Sequence, residues 1–191
     1  MNQDQRSRIH GARNLALIGY RATGKTHVGA ALSGRIGWPV IDTDQVIQER
    51  SGSTIREIFA AGGEVAFRDW ESEVIQDLLQ EREHTIFSLG GGAILRPGNR
   101  ATIRKFATTI WLRATPDEIW RRLEGDAATR EQRPALTNLN GYNEIVAVLS
   151  EREPIYREAS DFPVDTDNKS VDAIATEILS LVQLDYGPAG P

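Results

Sequence analysis

Cysteine is absent from this 191-residue chain, and its three histidines, His10, His27 and His84, are scattered. A disulfide framework is therefore excluded, and no Cys or His spacing suits a zinc site. Basic residues are in the minority, with 22 Lys and Arg against 27 Asp and Glu, for a net charge of −5. A nucleic-acid backbone is then a poor main partner, because domains that bind one usually show a basic face. Any anion site has to be built locally. Long apolar runs are missing too: no segment approaches the roughly 20 apolar residues of a membrane span. Residues 1–13 are polar and lack the apolar core of a signal peptide, so a cytoplasmic location is expected. The hydrophobic and charged fractions, 40% and 26%, are those of an ordinary globular protein, which excludes disordered and fibrous classes. At this length the chain accommodates one domain with insertions, and no internal repeat is visible.

What is present begins with Gly19-Tyr20-Arg21-Ala22-Thr23-Gly24-Lys25-Thr26, which fits the phosphate-binding pattern G-x-x-x-x-G-K-[ST]. In such a loop the glycines let backbone N–H groups curl around an oxyanion. Lys25 reaches the β- and γ-phosphates, and the Thr26 hydroxyl can ligand Mg²⁺. The context agrees. Asn14-Leu15-Ala16-Leu17-Ile18 precedes it as a strand-length apolar run, and Val28, Ala31, Leu32 and Ile36 follow at helical spacing. A helix starting there adds its positive end to the site.

Further along, Pro39-Val40-Ile41 is a second strand running into Asp42-Thr43-Asp44. Acids at a strand's C-terminal end fall on the rim where open α/β sheets bind ligands. Thr54 to Glu57 has the form of a capping box for a short helix ending at Gly62-Gly63. A longer helix then runs from Glu64 to about Arg82, with Phe67, Trp70, Val74, Ile75, Leu78 and Leu79 as its stripe and Arg68 and Glu71 off it. Thr85 to Leu89 is a third strand ending in Gly90-Gly91-Gly92, and a helix after Pro97-Gly98 leads to a fourth strand, Thr108 to Leu112. Thr115-Pro116-Asp117-Glu118 is a strong helix start. The polar stretch from Asp126 to Asn140 is expected to be a mobile lid. A helix from about Tyr142 to Tyr156 is expected to break at Pro154. Phe162 to Thr166 is a fifth strand, and Ser170 caps a last helix striped by Val171, Ile174, Ile178, Leu181 and Val182. Strands alternating with helices predict an α/β fold with a doubly wound, five-stranded parallel sheet. The domain is expected over 14–183, with 1–13 and 184–191 as flexible tails.

A phosphate loop alone says only that a nucleoside triphosphate binds. Asp42 is placed to support Mg²⁺, and its bland role is a helix cap; Asp44 before a helical stretch has the same bland role. Arg68 and Arg152 are candidate forks for a carboxylate, although a surface arginine is normally only solvated. Glu71 lies one turn from Arg68 and can hold it. Three consecutive glycines exceed what a tight turn with positive φ requires, and they suit close approach of a hydroxylated ligand. Arg133, before Pro134 in the lid, can close over the phosphates.

In order and spacing, G-x₄-G-K-T, Ile41-Asp42-Thr43-Asp44, Gly63-Glu64-x-x-Phe67-Arg68, Gly90 to Gly92, Arg133-Pro134 and Arg152-x-Pro154-x-Tyr156 together resemble shikimate kinase. The resemblance spans roughly Leu15 to Leu181. It implies a P-loop kinase fold with sheet order 2-3-1-4-5, a substrate-binding insertion at about 44–72 and a lid at about 125–140. The implied reaction is transfer of phosphate from ATP to a hydroxyl of shikimate, giving shikimate 3-phosphate, with Mg²⁺ as cofactor. Gly19, Ala22, Thr23, Gly24, Lys25, Thr26, His27 and Arg133 would hold the nucleotide, and Thr26 and Asp42 the metal. Asp44, Arg68, Gly90, Gly91, Gly92 and Arg152 would hold shikimate, and Lys25, Asp44 and Arg133 would be catalytic. The expected partners are these small molecules, with no nucleic acid, no membrane and a monomeric state.

Two positions depart from the family pattern: Ala22, where a small residue, often glycine, is usual, and the bulky, charged Arg21. If position 22 is left-handed, alanine costs about 1–2 kcal/mol there. The adenine contact has no clear match, although Asp167-Asn168-Lys169 lies in the right region. A related small-molecule kinase such as a gluconate kinase is the runner-up. A GTPase-like switch fits less well, because Asn168-Lys169-Ser170-Val171 lacks the Asp of N-K-x-D. A non-catalytic nucleotide-binding scaffold conflicts with the retained Asp44.

Overall fold

The computed structural model describes residues 14–125 and 141–182. Strands β1 (Asn14–Ile18), β2 (Val40–Asp42), β3 (Thr85–Ser88), β4 (Thr108–Arg113) and β5 (Phe162–Asp165) form one sheet in the order β2-β3-β1-β4-β5. Every neighbouring pair is parallel, with Leu15 opposite Ile86 on one side of β1 and Thr108 on the other. The described helices are α1 (Lys25–Ile36), α2 (Thr43–Ser51), α3 (Ile55–Glu81), α4 (Pro97–Phe106), α5 (Pro116–Glu124), α6 (Gly141–Ala159) and α7 (Val171–Val182).

Strand alternation distributes the core between two faces. Leu15, Leu17, Ile110 and Leu112 point one way, toward Val28 and Leu32 of α1 and Ile174 and Ile178 of α7. Ala16, Ile18, Phe87 and Trp111 point the other way, toward Phe67, Val74 and Ile75 of α3 and Ile103 of α4. Because helices cover both faces, the central strand is buried along its whole length and apolar from Leu15 to Ile18, as buried parallel strands are. A smaller cluster joins Tyr20 and α5 to Ile145 and Val148 of α6.

Local signals account for most helix boundaries. Thr54 accepts from the Glu57 N–H while the Glu57 carboxylate takes the Thr54 N–H, the reciprocal capping box expected there. Thr115 accepts from the Glu118 N–H ahead of Pro116. The expected pair of helices around Gly62-Gly63 runs as two helical segments abutting at a kink, where Gly63 has φ 68° and ψ −166°. Two expectations need correction. Pro154 lies inside a continuous α6; the helix carries on because Arg152 and Tyr156, on either side of the proline, are both tied to the Gly91 carbonyl, and Tyr156 stacks on Trp111. In α7 the predicted stripe holds at Ile174, Ile178 and Val182, but Val171 is exposed and Ala175 and Leu179 join the buried face.

Candidate functional site

The C-terminal ends of β1, β2 and β3 open into a cavity of about 410 Å³, lined among others by Lys25, Thr26, Asp42, Asp44, Ser88 and Gly90. Its donor side is backbone. Gly24, with φ 94°, is the N-cap of α1 and has no side chain to occupy the first N–H groups of that helix, which leaves them directed at the position an anion would take. Buried Thr23 fixes the bend by donating from Oγ1 to the Tyr20 carbonyl at 2.8 Å. Lys25 Nζ lies across the loop, donating to the carbonyls of Gly19 and Tyr20 at 2.9 and 2.8 Å. Thr26 and His27 form the first exposed turn of α1 and line the same cavity. Ala22 has φ 61°. The left-handed conformation considered from the sequence is therefore present, with its cost of about 1–2 kcal/mol for a residue bearing a Cβ. Arg21 turns toward α6, where its Nη2 sits 2.7 Å from Glu144 Oε1.

Asp42 joins the donor side to the next strand. Its Oδ1 accepts from the Asp44 N–H at 3.0 Å, which makes it the cap of α2. Oδ2 meets Ser88 Oγ at 3.1 Å and Thr26 Oγ1 at 3.4 Å. One oxygen of this carboxylate thus caps α2, and the other faces Ser88 and Thr26 at the cavity. With the cap supplied by Asp42, Asp44 has its side chain in the cavity instead of capping the helix. Thr43, buried between the two acids, accepts from the Gly90 N–H at 3.2 Å and donates to the Ser88 carbonyl at 3.3 Å, fixing the glycine turn to α2.

The acceptor side is made of charged side chains buried around that turn. Arg68 and Glu71 lie off the apolar stripe of α3, yet both are buried, at 7% and 0% exposure. Arg68 Nη1 meets Glu71 Oε2 at 2.7 Å, and its Nε and Nη2 point at Glu64 Oε1, at 3.2 and 3.0 Å. Burial raises the Glu71 pKa against the lowering pull of Arg68. On Arg68 burial pulls downward, but Glu71 and Glu64 outweigh it and the guanidinium is held more firmly protonated. Arg96 Nη1 braces the same turn of α3 by donating to the Arg68 carbonyl at 3.0 Å. Arg152, 8% exposed, donates to the Gly91 carbonyl at 3.3 Å. Tyr156 donates to the same carbonyl, and burial pushes its phenol well above the ordinary tyrosine value.

None of the three glycines has a positive φ; what they provide is room. A Cβ on Gly92 would collide with the Arg68 guanidinium, and one on Gly90 would lie 2.8 Å from both Asp44 Oδ1 and Glu71 Oε1. A Cβ on Gly91 would face the Gly19 carbonyl at 3.5 Å and the Arg21 nitrogen at 3.6 Å. The turn is thus the wall shared by the donor and acceptor sides.

The structure brings together Gly19, Ala22, Thr23, Gly24, Lys25, Thr26, His27, Asp42, Asp44, Arg68, Gly90, Gly91, Gly92 and Arg152 along one rim. Arg133, with the expected lid, lies outside the described residues. Sequence reasoning missed Ser88, whose only signal was a polar residue ending an apolar strand opposite Asp42. It also missed Arg96 and Glu144, for which there was no local signal. Arg122, likewise missed, bridges the phosphate loop to the end of β5, donating to the Ala22 carbonyl at 3.1 Å and the Thr166 carbonyl at 2.9 Å.

Comparison with known proteins matches this arrangement. The shikimate kinase family model covers residues 21–183. A shikimate kinase of Rhodopirellula baltica is 39% identical over 189 residues, covering 99% of this chain and 98% of the relative. Among solved structures, a shikimate kinase from Acinetobacter baumannii in complex with shikimate superposes with a TM-score of 0.83 at 28% identity, covering 94% of this chain and 97% of that one. A gluconokinase from Sinorhizobium meliloti reaches a TM-score of 0.55 at 13% identity, covering 90% and 92%, a likeness of fold alone. With a family model spanning most of its length and relatives matched end to end, the chain belongs to the shikimate kinase family.

Proposed function

We propose that the protein transfers the γ-phosphoryl group of ATP to a hydroxyl of shikimate, giving shikimate 3-phosphate and ADP. The observation that carries this reading is the convergence of one carboxylate, Asp44, and the Arg68 guanidinium on the wall of a phosphate loop. Such a set asks for a small acceptor bearing both an alcohol and a carboxylate.

The loop N–H groups and Lys25 bind and orient the phosphates, a task of positioning and charge stabilisation. Asp44 hydrogen-bonds the acceptor hydroxyl and takes its proton as the new P–O bond forms. Arg68 and Arg152 grip the acceptor carboxylate. The Arg68 fork already holds one: Glu64, whose side chain is 55% exposed, occupies the face opposite Glu71, and the substrate carboxylate replaces it there. Gly90 to Gly92 line the ring. Arg133 belongs to this reading as the lid arginine that offsets transition-state charge, with the lid at about 125–140 and the substrate-binding insertion at about 44–72.

Mg²⁺ fits the residues present. Among the described residues no cluster of three or more His, Cys, Asp or Glu forms a cage, but the Thr26 hydroxyl and Asp42 Oδ2 supply two hard oxygen donors 3.4 Å apart, as suits an ion that takes its remaining ligands from phosphates and water. Bound there, it neutralises phosphate charge. The protein is expected to act as a monomer in the cytoplasm.

The test is ADP release with Mg²⁺-ATP and, in turn, shikimate, quinate, gluconate or no acceptor. Stimulation by shikimate well above the others is expected. Equal stimulation by gluconate would favour the sugar-acid kinase reading, and none by shikimate would overturn the proposal.

A further inference from the structure

Arg21 is bulky and charged at a position inside the phosphate loop, and its guanidinium is paired with Glu144. Glu144 lies in the first turn of α6 and is 2% exposed, while the Arg21 side chain keeps 20% exposure beside the cavity, so the pair is half-buried. Tyr20, on one side of Arg21, packs with Ile145 and Val148 of the same helix. Ala22, on the other side, holds a left-handed conformation that a Cβ disfavours. Two turns beyond Glu144, the helix presents Arg152 and then Tyr156 to the Gly91 carbonyl. Gly91 in turn backs onto the Gly19 carbonyl and the Arg21 nitrogen. Loop, helix and glycine turn therefore close a ring, and the Arg21–Glu144 pair is its ionic link.

We propose that Arg21 is a positioning residue: its ion pair with Glu144 holds the phosphate loop in the anion-binding shape against the strain at Ala22. A strained loop residue persists only where its surroundings over-determine it, and the half-buried Arg21–Glu144 pair one residue away supplies that constraint together with the Arg122 hydrogen bond to the Ala22 carbonyl. The role also explains how an additional arginine is accommodated beside the nucleotide site. Glu144 balances its charge and directs it into the helix, so the loop N–H groups and Lys25 remain the phosphate ligands. The inference rests on the reading of Gly19 to Thr26 as the ATP site.

The experiment measures KM for ATP, KM for shikimate, kcat and ADP affinity by calorimetry for Arg21→Met, Arg21→Lys, Glu144→Gln, Arg21→Met/Glu144→Gln and Arg21→Met/Ala22→Gly. Arg21→Met and Glu144→Gln are each expected to raise the ATP KM about tenfold, with kcat and the shikimate KM changing far less, and the double variant should be no worse than the worse single one. Arg21→Lys should recover part of the loss. The distinguishing readout is Ala22→Gly, which relieves the strain and should restore ATP affinity more in the Arg21→Met background than in the native loop. If Arg21 instead touched the nucleotide directly, Glu144→Gln would free it and lower the ATP KM, and glycine at 22 would not rescue; that outcome overturns the proposal. A loss of thermal stability with unchanged ATP KM overturns it too. Failure of the underlying site reading looks different, because the unmodified protein would then show neither ADP binding nor ATP turnover.

Discussion

The donor and acceptor sides of the cavity are built by opposite means. From Gly19 to Thr26 the proposed phosphate ligands are backbone N–H donors in one contiguous stretch and a single lysine. The acceptor side collects Asp44 from α2, Arg68 and Glu71 from α3, a glycine turn after β3 and Arg152 from α6, residues separated by more than half the chain. A backbone cradle needs only the right φ at a few positions, so its tolerance is set by conformation. A side-chain cradle needs charges taken out of water and held by one another, so its tolerance is set by pairing and volume. Each kind of site should therefore fail in its own way.

The largest expected effect is on chemistry. Asp44→Asn should lower kcat by about 10²–10⁴, the contribution of a positioned base, and leave the ATP KM nearly unchanged. A comparable loss of ATP affinity would mean that the two sides are not separable. Next comes the buried pair. Glu71→Ala leaves Arg68 with Glu64 as its remaining carboxylate partner among the described residues, so the charge stays compensated while the buried Nη1 loses its acceptor, which should cost about 1–3 kcal/mol of stability. Urea denaturation measures that cost, and the shikimate KM should rise in parallel. Gly92→Ala is a sharper probe of volume. The added methyl group meets the Arg68 guanidinium, so an overpacking cost of about 1–3 kcal/mol should appear as a raised shikimate KM with ATP binding preserved.

The smallest effect belongs to an ion-pair cluster on α5, behind the phosphate loop. Glu118 sits between Arg121 and Arg122, and the hydrogen bonds from Arg121 lead those interactions in holding its carboxyl down at about 2, from an ordinary 4.5. A depressed folded pKa gives stability that is present above the unfolded value and lost as pH falls toward the folded one. Glu118→Gln should thus cost up to about 1 kcal/mol at neutral pH, as partly exposed ion pairs do. Thermal melts of the two proteins should converge between about pH 4 and pH 2.

The same contrast governs what was legible beforehand. The phosphate loop and the capped starts at Thr54 and Thr115 depend on local chemistry, and each was readable from a few adjacent residues, whereas the strand order followed only from the family resemblance. The left-handed conformation at Ala22 could be stated as a condition because the family pattern often has glycine there. The acceptor side was readable only as separate candidates that a family resemblance assembled. Arg68 and Glu71 fall off the apolar stripe and read as a carboxylate fork and its holder, but their burial was not legible, because periodicity does not register two charges that bury each other. Gly90 to Gly92 read as room for a hydroxylated ligand, whereas the neighbours the structure sets against them, the Arg68 fork and the Asp44 and Glu71 carboxylates, come from distant elements. Ser88 and Glu144 act through partners 46 and 123 residues away, and no pattern in the chain anticipates that. Pro154 misled for a related reason: the anchors at Arg152 and Tyr156 that carry the helix past it are tertiary.

The central claim is that the acceptor side recognises a carboxylate and an alcohol on one small molecule. It is tested most directly by comparing kcat/KM for shikimate and for its methyl ester, in the native protein and in Arg152→Leu. The native protein should prefer the free acid by about a hundredfold, the worth of one or two charge-assisted hydrogen bonds, and the preference should largely collapse in the variant. Equal kcat/KM for acid and ester in the native protein, or a preference untouched by Arg152→Leu, would contradict the account.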